Sequence, residues 1–210
     1  MSVNILNANA VYMNIHVNQA IMPTMRPQPP ADILARDADF DAPHFRQALS
    51  RFATGVTVVT TLAPDGQRGD TASHNFVGMT ANSFKSVSMS PPLVLWSLAC
   101  HARSLPLFHG QPHYVINVLA ADQLDVCNRF AYGQGDRFAE TPYRLGTSGL
   151  PILDGSLAWF ECHNRSRYEE GDHVIFVGQV ERCGFADRTD ALVFQGGRFG
   201  SVVAHEGANA

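Results

Sequence analysis

No stretch of the 210 residues reaches the eighteen or so consecutive apolar positions that a membrane-spanning helix needs, so no membrane span is expected. The N-terminus lacks a basic segment followed by an apolar run, and a secretory signal is not expected either. Charge is scarce: 16% of residues, with a net charge of -4 and a pI near 6.1. That balance leaves no basic footprint, which argues against nucleic acid or an anionic membrane surface as a partner. The four cysteines, Cys100, Cys127, Cys162 and Cys183, form no CxxC pair. A disulfide framework is therefore not indicated, and a reduced, buried thiol is expected at each, the habit of a cytoplasmic protein. The Cys-His neighbours at 100/101 and 162/163 would point to opposite faces of a strand, so no metal site is expected. Several catalytic signatures are missing too. No GxGxxG or GxxxxGK[ST] occurs, which excludes a Rossmann fingerprint and a P-loop. There is no GxSxG elbow and no HExxH.

With 45% hydrophobic residues the chain can bury one real core, and one domain is the economical count. Residues 1–40 differ in character. They hold asparagines at 4, 7, 9, 14 and 18 and prolines at 23, 27, 29 and 30, with little hydrophobic periodicity. They read as a poorly ordered extension, followed by a domain over 41–203 and a tail over 204–210. Met13, Met22 and Met25 leave open a later translation start.

The domain opens on a helix over Pro43 to Thr54, where Phe45, Leu49 and Phe52 make an apolar stripe, Asp41 is the expected N-cap and Gly55 the stop. It reads as a helix packed across a barrel opening. Val56 to Leu62 is a β-branched strand closed by the turn Pro64-Asp65-Gly66, and a return strand runs to Thr80. The informative stretch is Gly78 to Leu98. Thr80, Ala81, Asn82, Ser83, Ser86 and Ser88 alternate with larger apolar residues, giving a strand with one sterically open side. Pro91 and Pro92 place a corner before the apolar run Leu93 to Leu98. By spacing alone this pair of strands serves a ligand or simply faces solvent. Further on come a short helix about Ser104 to Phe108, a buried strand Tyr114 to Leu119, and a helix Ala120 to Phe130. A loop over Gly133 to Tyr143 follows, with Phe138 as an anchor. Ser156 to Arg167 and His173 to Cys183 form a hairpin turning at Glu169 to Asp172, and Leu192 to Phe199 is a closing strand.

The strings GMTANSF, SVS, PPLVLWSL and the GDH of Gly171 to His173, in this order, closely resemble the flavin reductase family of FMN-binding split barrels, the reductase components of two-component flavin monooxygenases. The resemblance runs from about Phe45 to Phe199. It implies a mainly β fold with a few helices, a six-stranded antiparallel split barrel of Greek-key type. It also implies an NAD(P)H:flavin oxidoreductase using FMN or FAD with NADH or NADPH, a homodimer, and a separate oxygenase as recipient of the reduced flavin. Residue by residue it places Thr80, Ala81, Asn82, Ser83, Ser86, Val87 and Ser88 along the flavin. Ser97, Leu98, Arg103 and Ser104 fall toward its phosphate, Asn117, Gln123 and Phe130 nearby, and Arg198 and Phe199 by the same pocket. Arg103 reads equally as a solvated arginine, and Leu124 and Phe130 as core. His173 would sit by the nicotinamide as the catalytic residue. The segment Gly69 to Phe76 is an insertion relative to the family pattern, and its Thr71-Ala72-Ser73 echoes Thr80-Ala81-Asn82. Two rivals stay open: a flavoprotein that binds FMN without catalysis, and a haem- or pyridoxamine-phosphate-binding barrel.

Overall fold

The computed structural model describes residues 40–63 and 75–202, together with the backbone of 5–6 and 12–13. The turn at Pro64 to Gly66, nearly all of the Gly69 to Phe76 insertion, most of the 1–40 extension and the 204–210 tail lie outside the described residues. The chain divides into two units, residues 1–49 with 205–210 and residues 50–204. In the first, β1 (Ile5–Leu6) pairs antiparallel with β2 (Tyr12–Met13), and α1 spans Ala42–Leu49. Asp41 caps α1 as its sequence position suggests: the His44 amide donates to Asp41 Oδ1 at 2.8 Å. The helix ends five residues short of Thr54, and Gly55 is a strand residue rather than a helix stop.

In the second unit the strands are β3 (Thr54–Gly55), β4 (Thr57–Leu62), β5 (Phe76–Ala81), β6 (Lys85–Met89) and β7 (Pro92–Ala99), then β8 (His113–Val118), β9 (Tyr143–Leu145), β10 (Pro151–Leu153), β11 (Ala158–Glu170), β12 (His173–Phe185), β13 (Leu192–Gln195) and β14 (Arg198–Ser201). Two helices interrupt them, α2 (Leu105–His109) and α3 (Leu124–Tyr132). Seven strands form one antiparallel sheet in the order β5-β4-β8-β11-β12-β7-β6. The sheet holds one strand more than the six expected, and β6, five residues long, forms one of its edges.

Connectivity decides the shape of this sheet. Laid flat, seven strands would separate the outer two by about 29 Å, at about 4.8 Å per gap. Yet β5 and β6, the two outer strands, are joined by Asn82, Ser83 and Phe84 alone. Ala81 and Lys85 therefore lie within about 15 Å of each other. The sheet must curl until its edges meet at that corner.

The interior follows from the sequence pattern. On β4, Val58 and Val59 are both fully buried, facing two different clusters, so the run is β-branched rather than alternating. Thr57, Thr60 and Thr61 donate their hydroxyls to the carbonyls of Ala81, Pro151 and His113 at 2.6–2.8 Å, which lets buried threonines replace valines without orphaned polar atoms. Inside the curl, Trp96 stacks on Phe176 at 4.6 Å and meets Phe108 and Tyr114 edge-on. Outside it, Phe130 of α3, Phe138 and Phe76 fill the second cluster. The long hairpin β11-β12 turns at Gly171 and Asp172, where Gly171 takes φ +61. The stretch Leu192 to Phe199 is not one strand. Gly196 (φ +58) and Gly197 (φ +78) fold it into the hairpin β13-β14, which joins β3 in a separate three-stranded sheet. Among the described residues no helix is long and apolar enough to cross a membrane.

Candidate active site

A pocket of about 340 Å³ lies along β5, an edge strand of the curled sheet, within the usual range for a small-molecule site. Its walls come from β5 (Val77 to Thr80), the end of β7 (Leu98), the approach to α2 (Ala102 to Ser104, with Leu107), the end of α3 (Phe130, Ala131) and Arg137. Gly78 keeps the strand close to α3: a Cβ there would fall 2.4 Å from Phe130 Cε1. The Thr80 hydroxyl donates to the Cys127 carbonyl at 2.7 Å, tying α3 to the same strand.

Electrostatically the pocket favours an anion. Its lining contains two guanidinium groups and no carboxylate. Arg137 braces the wall by donating to the carbonyls of Gly78 (3.1 Å), Gly133 (3.1 Å) and Phe130 (3.4 Å). Arg103 is exposed and has no hydrogen bond or ion pair to any described residue. Ser104 adds a hydroxyl, 3.7 Å from Met79 Sδ. The helix that follows, α2, has only five residues, so the cationic and hydroxyl groups of this lining come from side chains.

The remaining residues expected at the site are placed in distinct ways. Asn82 and Ser86 are exposed, as is Val87, while Ser83 and Ser88 are half-buried, so the corner and β6 present an accessible wall of small groups. Ala81 is buried. Ser83 bonds both ways to β7, accepting from the Ser97 amide at 2.9 Å and donating to its carbonyl at 3.1 Å. Two expected residues have internal partners instead. Asn117, with no exposed surface, donates to Val58 O (3.1 Å) and accepts from the Leu153 amide (2.9 Å), clamping β8 to β4 and β10. Gln123 accepts from the Ala120 amide and donates to Asp154 O, closing the turn into α3. Arg198 and Phe199 sit on β14 and are not part of the pocket lining, and Phe199 packs on Phe194 at 5.1 Å.

His173 opens β12 opposite Ala99, one register step beyond the pair Val174 and Leu98, and Leu98 lines the pocket. Its ring is exposed, and Nδ1 lies 2.7 Å from Asp172 Oδ1. That hydrogen bond holds the Asp172 carboxyl below the ordinary carboxylate range. Asp172 is itself anchored, since its carbonyl accepts from the Cys100 amide at 2.8 Å. Two of the cysteines are not buried as expected: Cys100 and Cys183 are exposed, because each lies where a strand leaves the packed part of the sheet.

Residues 49–202, more than half of the chain, match the model of the flavin reductase like domain. The chain belongs to this family. Among its relatives, the FMN reductase (NADH) of Agrobacterium fabrum is 44% identical over 156 residues, 74% of this chain and 83% of that protein. The reductase component of the flavin-dependent trigonelline monooxygenase of Acinetobacter baylyi is 42% identical over 67% of this chain and 44% of its own length. The solved NADH:FAD oxidoreductase of Streptomyces globisporus is 36% identical with a TM-score of 0.71, covering 84% of this chain and all of that one. The chain spans less than half the length of the second relative, and 53% of a solved Sinorhizobium meliloti protein that is 41% identical with a TM-score of 0.69. The small-residue corner at 82–84 and the turn at 171–173 lie toward the same end of β7, Ser83 bonded to Ser97 and His173 paired with Ala99. What sequence reasoning missed was Arg137. It lies in the Gly-rich loop, where only the turn built by Asp136, whose carboxylate accepts from the Phe138 and Ala139 amides, marks an ordered position.

Proposed function

We propose that this chain is an NAD(P)H-dependent flavin reductase that reduces FMN or FAD and releases the reduced flavin to a separate oxygenase. The observation that carries this reading is a pocket whose donors are Arg103, Arg137 and the Ser104 hydroxyl, opening beside a corner of small unreactive residues. Donors of this kind fit a phosphate, and the corner fits a flat ring. When bound, the flavin and the nicotinamide supply the hydride chemistry between them. The chain's own residues bind and orient. Arg103 and Ser104 hold the anionic end, and Arg137 keeps the Gly78 carbonyl and the loop in place. Asn82, Ser86 and Ser88 border the ring without offering a nucleophile strong enough to attack it. His173, fixed by Asp172, positions the dinucleotide. Orientation of this kind can be worth on the order of 7–11 kcal/mol without any acid or base. Relatives named for NADH, for FMN and for FAD support this cofactor set, and a relative named as a monooxygenase component supports the oxygenase partner.

A homodimer is part of the proposal. The edge strand β6 exposes Val87 and Met89, the latter by 80%, and a second copy laid against it would cover a hydrophobic edge that otherwise invites association. Free thiols at all four cysteines fit a reducing, cytoplasmic setting. The test is NADH and NADPH consumption by the purified chain with FMN, FAD or neither. Turnover that depends on added flavin is expected. Protein that binds flavin yet never accelerates NADH or NADPH oxidation would make it a flavin-binding protein without reductase activity.

A further inference from the structure

We propose that His113, His163 and Glu181 form a binding site for a divalent transition-metal ion of the zinc type, on the outer face of the curled sheet. The three residues come from three adjacent strands, β8, β11 and β12. His113 and His163 are directly opposed across β8 and β11, with ring centroids 5.4 Å apart. On each strand the preceding or following residue, Tyr114, Cys162 and Val180, packs into the inner cluster. Alternation then sends all three ligand residues outward.

A bulge completes the arrangement. Glu161 pairs with Arg182 and Cys162 pairs with Val180, which leaves Glu181 as the extra residue of β12. Bulges bend a strand and re-aim side chains, and here the irregularity sets the carboxylate beside the histidine pair. One ligand atom from each residue already lies within 4.8 Å of the others, and His113 Nε2 is 3.5 Å from Glu181 Oε2. Tetrahedral zinc with bonds of about 2.0–2.1 Å holds its ligand atoms about 3.3 Å apart. One pair is thus near its final spacing, and the third ligand has only to close by rotation of an exposed side chain. Two imidazoles and a carboxylate, with solvent access for the remaining position, are donors that suit zinc or cobalt better than magnesium or calcium. The site is separate from the pocket along β5, whose lining shares none of these residues.

The experiment is a calorimetric titration of the full chain with Zn²⁺ alone, repeated with Co²⁺ to read visible ligand-field bands. His163→Ala, Glu181→Gln and His113→Gln are compared with the parent, with circular dichroism as a check on folding. The parent is expected to bind one equivalent that each of these variants weakens by at least about tenfold, the smallest loss seen even for indirect support of a metal. His173→Ala, which removes a different histidine beside a carboxylate, is expected to keep that equivalent. Zinc at a hundredfold excess over its dissociation constant should raise the parent's melting temperature by roughly 5–10 °C and leave that of folded Glu181→Gln nearly unchanged. No saturable binding by the parent, or an equivalent that survives both His163→Ala and Glu181→Gln, overturns the proposal and reduces the cluster to an ion pair of His113 and Glu181.

Discussion

Replacing Gly78 by alanine isolates the packing that holds the pocket's floor. Gly78 does not use a positive φ, so the backbone accepts alanine and the effect is steric. The new Cβ would lie 2.4 Å and 2.5 Å from two carbons of the Phe130 ring and 3.3 Å from Phe138 Cζ. Ordinary contact begins near 3.4 Å, so the ring must retreat by about 1 Å. Phe130 is 1% exposed and wedged edge-on against Phe138 at 5.0 Å, so it has little room to do so. Overpacking of this kind costs about 1–3 kcal/mol, offset by about 0.5–1 kcal/mol because alanine loses less chain entropy than glycine. With the ring so confined the upper part of that cost applies, and a net loss of about 1–2.5 kcal/mol corresponds to a fall in melting temperature of roughly 2–10 °C for a domain of this size. Because Phe130 also lines the pocket, the KM for FMN should rise with it. Thermal melts and flavin titrations of Gly78→Ala, Phe130→Leu and the double variant would form a cycle in which the smaller leucine relieves the clash. A Gly78→Ala protein with unchanged melting temperature and unchanged KM would refute the packing described for β5 and α3.

Arg103→Ala should raise the KM for FMN about fivefold, the worth of an exposed charge pair near 1 kcal/mol, and leave that for riboflavin, which has no phosphate, within about twofold; equal losses would remove Arg103 from the phosphate. His173→Ala is expected to weaken use of NADH far more than binding of flavin, and a matched loss of both in steady-state and equilibrium titrations contradicts the role given to it. Asn117→Ala should strand the buried Leu153 amide at a cost of about 1–3 kcal/mol, seen as a lower denaturation midpoint, while the KM for flavin in the folded protein stays put. Burial pushes the Cys127 and Cys162 thiols up, so at mildly alkaline pH they carry less of the reactive thiolate than a free cysteine. Titration with a thiol reagent should count two fast thiols, Cys100 and Cys183, and two more only after denaturation; four fast thiols would contradict the burial.

Local pattern carried a good deal of this molecule. The Pro91-Pro92 corner, the β11-β12 hairpin at Gly171, the Asp41 cap and the Phe138 anchor are all where their residue types demand. Each depends on a backbone preference or a short-range bond that neighbouring residues supply. The departures have a common cause. Asn117 and Gln123 look like ligand donors in one dimension, yet their amides serve backbone groups 36 and 31 residues away. The run Leu192 to Phe199 reads as a strand until two consecutive glycines with positive φ break it.

The order of motifs by itself determined the family, the mainly β class and the small-residue corner, because those features are written in contiguous residues whose preferences act over a few positions. Only the tertiary structure decided that Arg137 would share a pocket with Arg103, or that His113, His163 and Glu181 would gather on three strands. Such groupings depend on which strands become neighbours and on one bulge in their register. A chain's local preferences do not encode that adjacency; the closing of a seven-stranded sheet through a three-residue corner does.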